Sequence, residues 1–151
     1  LDQPSSSNGA SYADLDNDGD LDLVVNNVNE KAFIYKNNSK NNFLRLELIN
    51  QNNKPVFRSK VSIYNEKKIQ LSESSNVRGI YSTSENMIHF GLGIHKKVDS
   101  LIITWPNSKQ TKLFDVQANQ VLKINSNSSK RFNSNSKSKE VFFEQVPSKI
   151  N

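Results

Sequence analysis

Alternation between apolar and polar residues is the dominant pattern along the chain. Phe43-Leu44-Arg45-Leu46-Glu47-Leu48 alternates cleanly, and a period of two predicts a strand with Leu44, Leu46 and Leu48 turned inward. Residues 21–26 read the same way, with Leu21, Leu23 and Val25 on one face. Shorter strands are expected at 10–13 and 32–36. Further strands are marked by Val61 and Ile63, by Ile69 and Leu71, by Ile88, Phe90 and Leu92, by Leu113, and by residues 121–124. Residues 98–105 are the most apolar run, stopped by Pro106-Asn107. No segment of useful length shows the 3.6-residue period of a helix. Short strands separated by turns predict an all-β fold, a sandwich or a close variant of one.

The same pattern divides the chain. Residues 1–9 read as a loop. Asn37-Asn38-Ser39-Lys40-Asn41-Asn42 reads as a turn that closes a first unit at residue 41 and opens a β domain over 42–125. Residues 126–140, nearly all Asn, Ser, Lys and Arg, read as a disordered low-complexity linker that cannot bury enough surface to order itself. Val141-Phe142-Phe143-Glu144-Gln145-Val146 then reads as the opening strand of a further domain over 141–151. The chain begins at Leu1 and is read as a piece of a longer protein.

Composition sharpens this picture in two ways. Of 151 residues only 34% are hydrophobic and none is cysteine, which excludes disulfide staples, thiol chemistry and thiolate metal sites. The net charge of +5 is unevenly placed: residues 1–30 hold seven acids and no Lys or Arg, and the remainder holds 20 bases against 8 acids. A basic excess can serve a nucleic acid or another polyanion. Here the lysines are scattered among Asn and Ser without an interleaved aromatic platform, which fits a solvated lysine-rich surface better. No apolar run approaches the length of a membrane span.

The candidate chemistry lies in the acidic part. Asp14-Leu15-Asp16-Asn17-Asp18-Gly19-Asp20-Leu21-Asp22 places an aspartate on every second residue. Five like charges this close repel, and a compact turn that collects them needs a counter-ion. Ca2+, a hard cation that takes six to eight oxygens, is the expected one. Asp14, Asp16 and Asp18 can converge, Gly19 tolerates the positive φ of the reversal, the backbone carbonyl of Asp20 is the next ligand, and Asp22 closes the shell. An EF-hand would need a Glu at its twelfth position and a following helix. This chain has Val25 there, followed by a strand, so the expectation is a calcium loop inside a β-hairpin.

Other candidates are weaker. His89 and His95 share no face or ligand spacing and read as structural or surface histidines. Trp105, with Tyr64 and Tyr81, could stack on a sugar, but Trp105 ends the most apolar strand and is expected in the core or at its rim. Arg78-Gly79 reads as a structural loop pair. There is no Gly-x-Ser-x-Gly elbow, no phosphate-cradling glycine loop and no carboxylate pair outside the calcium loop, so no enzymatic activity is expected.

Two segments resemble known families. Tyr12-Ala13-Asp14-Leu15-Asp16-Asn17-Asp18-Gly19-Asp20-Leu21-Asp22-Leu23-Val24-Val25 resembles the calcium hairpin of FG-GAP/VCBS repeats, the blades of β-propellers. The resemblance implies side-chain ligation by Asp14, Asp16, Asp18 and Asp22, and carbonyl ligation by Asp20. Residues 42–125 resemble the ASPIC/UnbV domain that follows such repeats. Arg78-Gly79, His89-Phe90-Gly91-Leu92-Gly93, Val98-Asp99-Ser100-Leu101, Trp105-Pro106 and Ala118-Asn119-Gln120 carry that likeness. Two turns depart from it: Phe57-Arg58-Ser59, where a glycine-containing turn is more common, and Asn107-Ser108, where Asp-Gly is usual. The tail around Phe142 looks like the start of a second propeller. The resemblances imply an extracellular or cell-surface, outer-membrane-associated protein that takes part in adhesion or in binding a protein or glycan. They also imply further propeller repeats of the same parent chain as neighbours. Polyanion binding through the basic half, and an accessory role in a glycan-processing enzyme, are the alternatives.

Overall fold

The computed structural model describes residues 4–66, 68–75, 77–79 and 82–131. Three strands come first: β1 (Ser7–Ala13), β2 (Asp22–Asn27) and β3 (Phe33–Tyr35), an antiparallel meander in the order β1-β2-β3. Residues 7–9, expected as loop, belong to β1. The register slips between Ser7 and Gly9, so Asn8-Gly9 is absorbed as a bulge and the ladder continues past it. At the other end Ala13 pairs with Asp22, so the aspartate segment is a loop whose two ends are pinned by one rung.

Ten strands follow: β4 (Asn42–Ile49), β5 (Lys60–Asn65), β6 (Lys68–Glu73), β7 (Val77–Gly79), β8 (Ser82–Thr83), β9 (Met87–Gly93), β10 (Lys97–Thr104), β11 (Lys109–Gln117), β12 (Gln120–Asn125) and β13 (Lys130–Arg131). They form a five-stranded sheet in the order β13-β11-β10-β5-β6, a three-stranded sheet β12-β4-β9, and a small ribbon β7-β8. The two larger sheets face each other. Leu44, Leu46, Leu48, Ile88, Phe90, Leu92 and Ile124 from one meet Val61, Ile63, Val98, Leu101, Ile103 and Val116 from the other, with Trp105 among them. This is the sandwich that the alternation predicts, and the inward triplet of β4 is fully buried.

Three features depart from the expected organisation. First, β12 runs parallel to β4, Gln120 beside Leu44 through Asn125 beside Ile49. A parallel pair cannot be joined by a tight turn, and here the chain crosses to the five-stranded sheet and back between them. Second, Ile69 and Leu71 lie on a strand as expected, but that strand is the sheet edge and they face outward, 59% and 75% exposed. Third, residues 126–131, expected as linker, hold regular structure. Ser126–Ser128 forms a short 3-10 turn capped by the Asn125 side chain, and Lys130 and Arg131 pair with Gln110 and Lys109. Polar residues suffice here because the exposed edge of β11 supplies backbone partners. The remaining linker residues and the expected strand at 141–146 lie outside the described residues.

The meander touches the sandwich unit. The Ser11 hydroxyl on β1 donates to the Thr83 carbonyl of β8 at 2.8 Å, and the aspartate loop lies against β4, described next.

Candidate metal centre

The loop between β1 and β2 is drawn together by its own side chains. Gly19 has φ +96, the left-handed turn expected of it, and its N–H donates to Asp14 Oδ2 at 3.1 Å. Asn17, also at positive φ (59), makes a second reversal. The Asp20 N–H donates to Asp18 Oδ1 at 3.2 Å. Together these bonds fold the aspartates over one point. One carboxylate oxygen from each of Asp14, Asp16 and Asp18 lies within 4.8 Å of the others. Ca–O bonds of about 2.3–2.6 Å put two ligands of one ion no more than about 5 Å apart, so the cluster has the size of a coordination shell.

Asp14 is the member with most at stake. Its side chain is only 2% exposed. Oδ2 accepts from Gly19 and from the Arg45 guanidinium at 2.5 Å, whereas Oδ1 is buried and accepts no hydrogen bond. A buried carboxylate oxygen without a partner is costly unless a cation or donor meets it. Asp20 is similar: both its carboxylate oxygens are shielded and neither makes a well-formed hydrogen bond, the Ser39 N–H being the backbone donor that acts on it. Desolvation, then the charge of Asp18, raises its pKa above the ordinary carboxylate value. The expected ligand at this position was the backbone carbonyl; the unsatisfied group is the side chain.

Asp16 and Asp18 are exposed, and Lys36 from the residue after β3 stands against them. Its ammonium bonds Asp16 and lies 3.8 Å from Asp18 Oδ2. The Lys36 hydrogen bond lowers the pKa of Asp16, and the same contact raises that of Lys36. A built-in cation thus partly occupies the acidic cluster, although an exposed pair of this kind holds weakly.

Asp22 is placed differently from the other aspartates. It is buried, its Oδ2 accepts from the Leu15 N–H at 3.1 Å and its Oδ1 from the Asn37 N–H at 2.8 Å. It ties the loop entrance to the segment after β3, and the three-carboxylate cluster does not include it.

The loop rests on β4. Gly19 is buried, and any Cβ added there would overlap the Phe43 ring. Phe43 in turn stacks on His89, ring centroids 6.1 Å apart and planes 13° from parallel. His89 is therefore a packing residue, its pKa lowered by burial first and by the Arg45 charge second, with Asp14 opposing. A cleft of about 430 Å³ runs beside this stack, lined by Asp20, Asn37, Ser39, Phe43 and His89 among others.

The remaining sequence candidates stay apart from the loop. Trp105 is buried in the core with its indole N–H donating to Thr111 Oγ1 at 2.9 Å, which removes it from any sugar-stacking platform. Tyr64 is partly exposed on β5, and Tyr81 lies outside the described residues. His95 sits in the β9–β10 turn, and Arg78-Gly79 lies on β7. Arg45, Glu85, Lys36 and Asn37 join the site without being singled out by the sequence pattern. Arg45 occupies a polar position of the alternation just as Glu47 does, so nothing in the pattern sets it apart.

Comparison with known proteins agrees with part of the sequence resemblance. A family model described as ASPIC and UnbV matches residues 49–131. That span contains β5 to β13 and ends where β13 ends, six residues beyond the boundary expected from composition. No curated protein matches the chain.

Proposed function

Because the chain belongs to the ASPIC and UnbV family and carries an oxygen-lined loop beside that domain, we propose that it is a non-catalytic, calcium-binding module of a secreted or cell-surface protein. In this reading β1–β3 is part of an FG-GAP/VCBS-type propeller blade, further blades of the parent chain adjoin it, and the assembly binds an extracellular protein or glycan. The family is typical of extracellular and surface proteins, which supports the location.

The observation that carries the calcium reading is Asp14 Oδ1: a buried oxygen without a hydrogen-bond partner, on a carboxylate that converges with Asp16 and Asp18. Asp14, Asp16 and Asp18 would hold the ion, with Asp20 beside them and Asp22 keeping the loop closed from below. When bound, the ion would neutralise the cluster and cross-link the turn, a structural service rather than a reaction. Lys36 would give up its place to a divalent ion, since its ammonium is an exposed monovalent charge. Selective binding to the native state stabilises it by mass action.

Isothermal titration with calcium chloride is expected to show one site, and a chelator is expected to lower the melting temperature. No binding heat, together with an Asp18→Ala protein that melts like the parent in calcium, would remove the reading.

A further inference from the structure

The groups that shape the aspartate loop are not all in it. Arg45 projects from β4 on the side opposite Leu44 and Leu46, and its side chain is only 7% exposed. One arm of the guanidinium, Nη2, is held by both oxygens of Glu85 at 2.7 Å each. The other arm, Nη1, reaches Asp14 Oδ2 at 2.5 Å, so the planar guanidinium is held between the two carboxylates, one at each arm. The Gly19 N–H takes the same oxygen. With Oδ2 doubly engaged, Oδ1 is the oxygen left buried without a hydrogen-bond partner. Two residues further back along β4, Phe43 forms the wall that only a glycine at position 19 can approach.

We propose that Arg45 is a positioning residue of the cation loop: with Phe43 beside it, it holds Asp14 and Gly19 in the shape an ion requires, so that cation affinity belongs to the hairpin and the sandwich docked together. The proposal rests on the calcium reading of the loop and goes further, because it makes a residue of the second unit part of the site. The charges are consistent with it. An arginine beside a ligand would by itself repel a cation. Glu85, with both oxygens on Nη2, cancels that charge, so Asp14, Arg45 and Glu85 together still present one negative charge to the ion. Oriented carboxylates supported from behind are a general feature of metal sites, and loss of the support typically costs about 10–100-fold in affinity.

The test is calcium titration of the full chain and of three variants: Arg45→Ala, Arg45→Lys and Glu85→Gln. Arg45→Ala is expected to weaken binding by about 10–100-fold. Arg45→Lys should recover part of the loss, having one arm instead of a fork. Glu85→Gln should also weaken binding, because it frees the arginine charge against the ion. A clamp that served only stability would lower the metal-free melting temperature and leave the affinity alone. Arg45→Ala binding calcium as tightly as the parent, or more tightly, would overturn the proposal and leave the calcium reading intact. If Arg45→Ala does not fold, Arg45→Lys and Glu85→Gln decide, and parental affinity in both overturns it. A parent that binds no calcium sinks both readings together.

Discussion

Arg58 and Ser108 are held at φ 60 and φ 62, a left-handed backbone that L side chains adopt at a cost. Both are exposed, and both sit in the turns where the ASPIC/UnbV pattern has glycine more often. The backbone needs of these turns are intact: the Arg58 N–H reaches the Ser74 carbonyl and the Ser108 N–H the Trp105 carbonyl, each at 2.9 Å. The two departures therefore leave the conformation in place and add strain to it. Arg58→Gly and Ser108→Gly are each expected to stabilise the protein by about 0.5–1 kcal/mol, the relief of strain being partly offset by the greater freedom of glycine in the unfolded chain. Denaturant melts of the two single variants check this, and a loss of stability in both would mean that the side chains do something in these turns beyond enduring them. Asn119, at φ 58, shows the contrasting case. Its side chain accepts from the Phe43 N–H at 3.1 Å while its own N–H donates to the Phe43 carbonyl at 2.7 Å, so asparagine there is both a tolerated conformer and a clamp on β4.

At the scale of elements, β4 joins the two parts of the molecule, and only half of that was legible. The alternation shows Leu44, Leu46 and Leu48 facing a core, because burial of one strand face leaves a period of two. It cannot show that Arg45 on the other face is buried too, since the surface covering it comes from residue 14 and residue 85, far along the chain. The aspartate loop was legible for the opposite reason: its geometry is local, and its spacing and glycine lie within nine residues. Asp22 keeps the alternation that marks it as a fifth ligand, and in the structure its two oxygens also accept from the Leu15 and Asn37 N–H groups, contacts that the spacing alone does not show. His89, the cross-strand partner of Arg45, brings a pH dependence. An unfolded histidine takes its proton near pH 6.5, and burial makes the folded one take it only at lower pH. Between those two values the unfolded chain binds more protons, so stability should fall as pH drops below about 6.5. Metal-free protein followed by urea melts from pH 7 to 5 should show that slope, and His89→Phe, which keeps a ring against Phe43, should flatten it. An equal slope in the variant would place the titrating group elsewhere.

Across the whole molecule the all-β class and the sandwich follow from the sequence, but the end of the domain does not. A run of Asn, Ser and Lys looks like linker because it has nothing to bury, and residues 126–131 are ordered all the same because β11 has free backbone groups to offer. The parallel pairing of β12 with β4 was equally hidden, since nothing in either strand declares its direction. That pairing has a consequence for biosynthesis. Strand β4 leaves the ribosome early, but its neighbour β12 follows some seventy residues later, after every strand of the opposite sheet except β13. Until then a nascent chain carries a fully apolar strand face and one unpaired edge, which is where misassembly with other chains begins. A protein ending at Ala118 should accordingly lose its cooperative thermal transition and aggregate, whereas one ending at Arg131 should melt in a single step; a sharp transition in the shorter form would mean that β4 closes without its late partner. The order of synthesis thus leaves the strand against which the aspartate loop rests unfinished until the last part of the domain has been made.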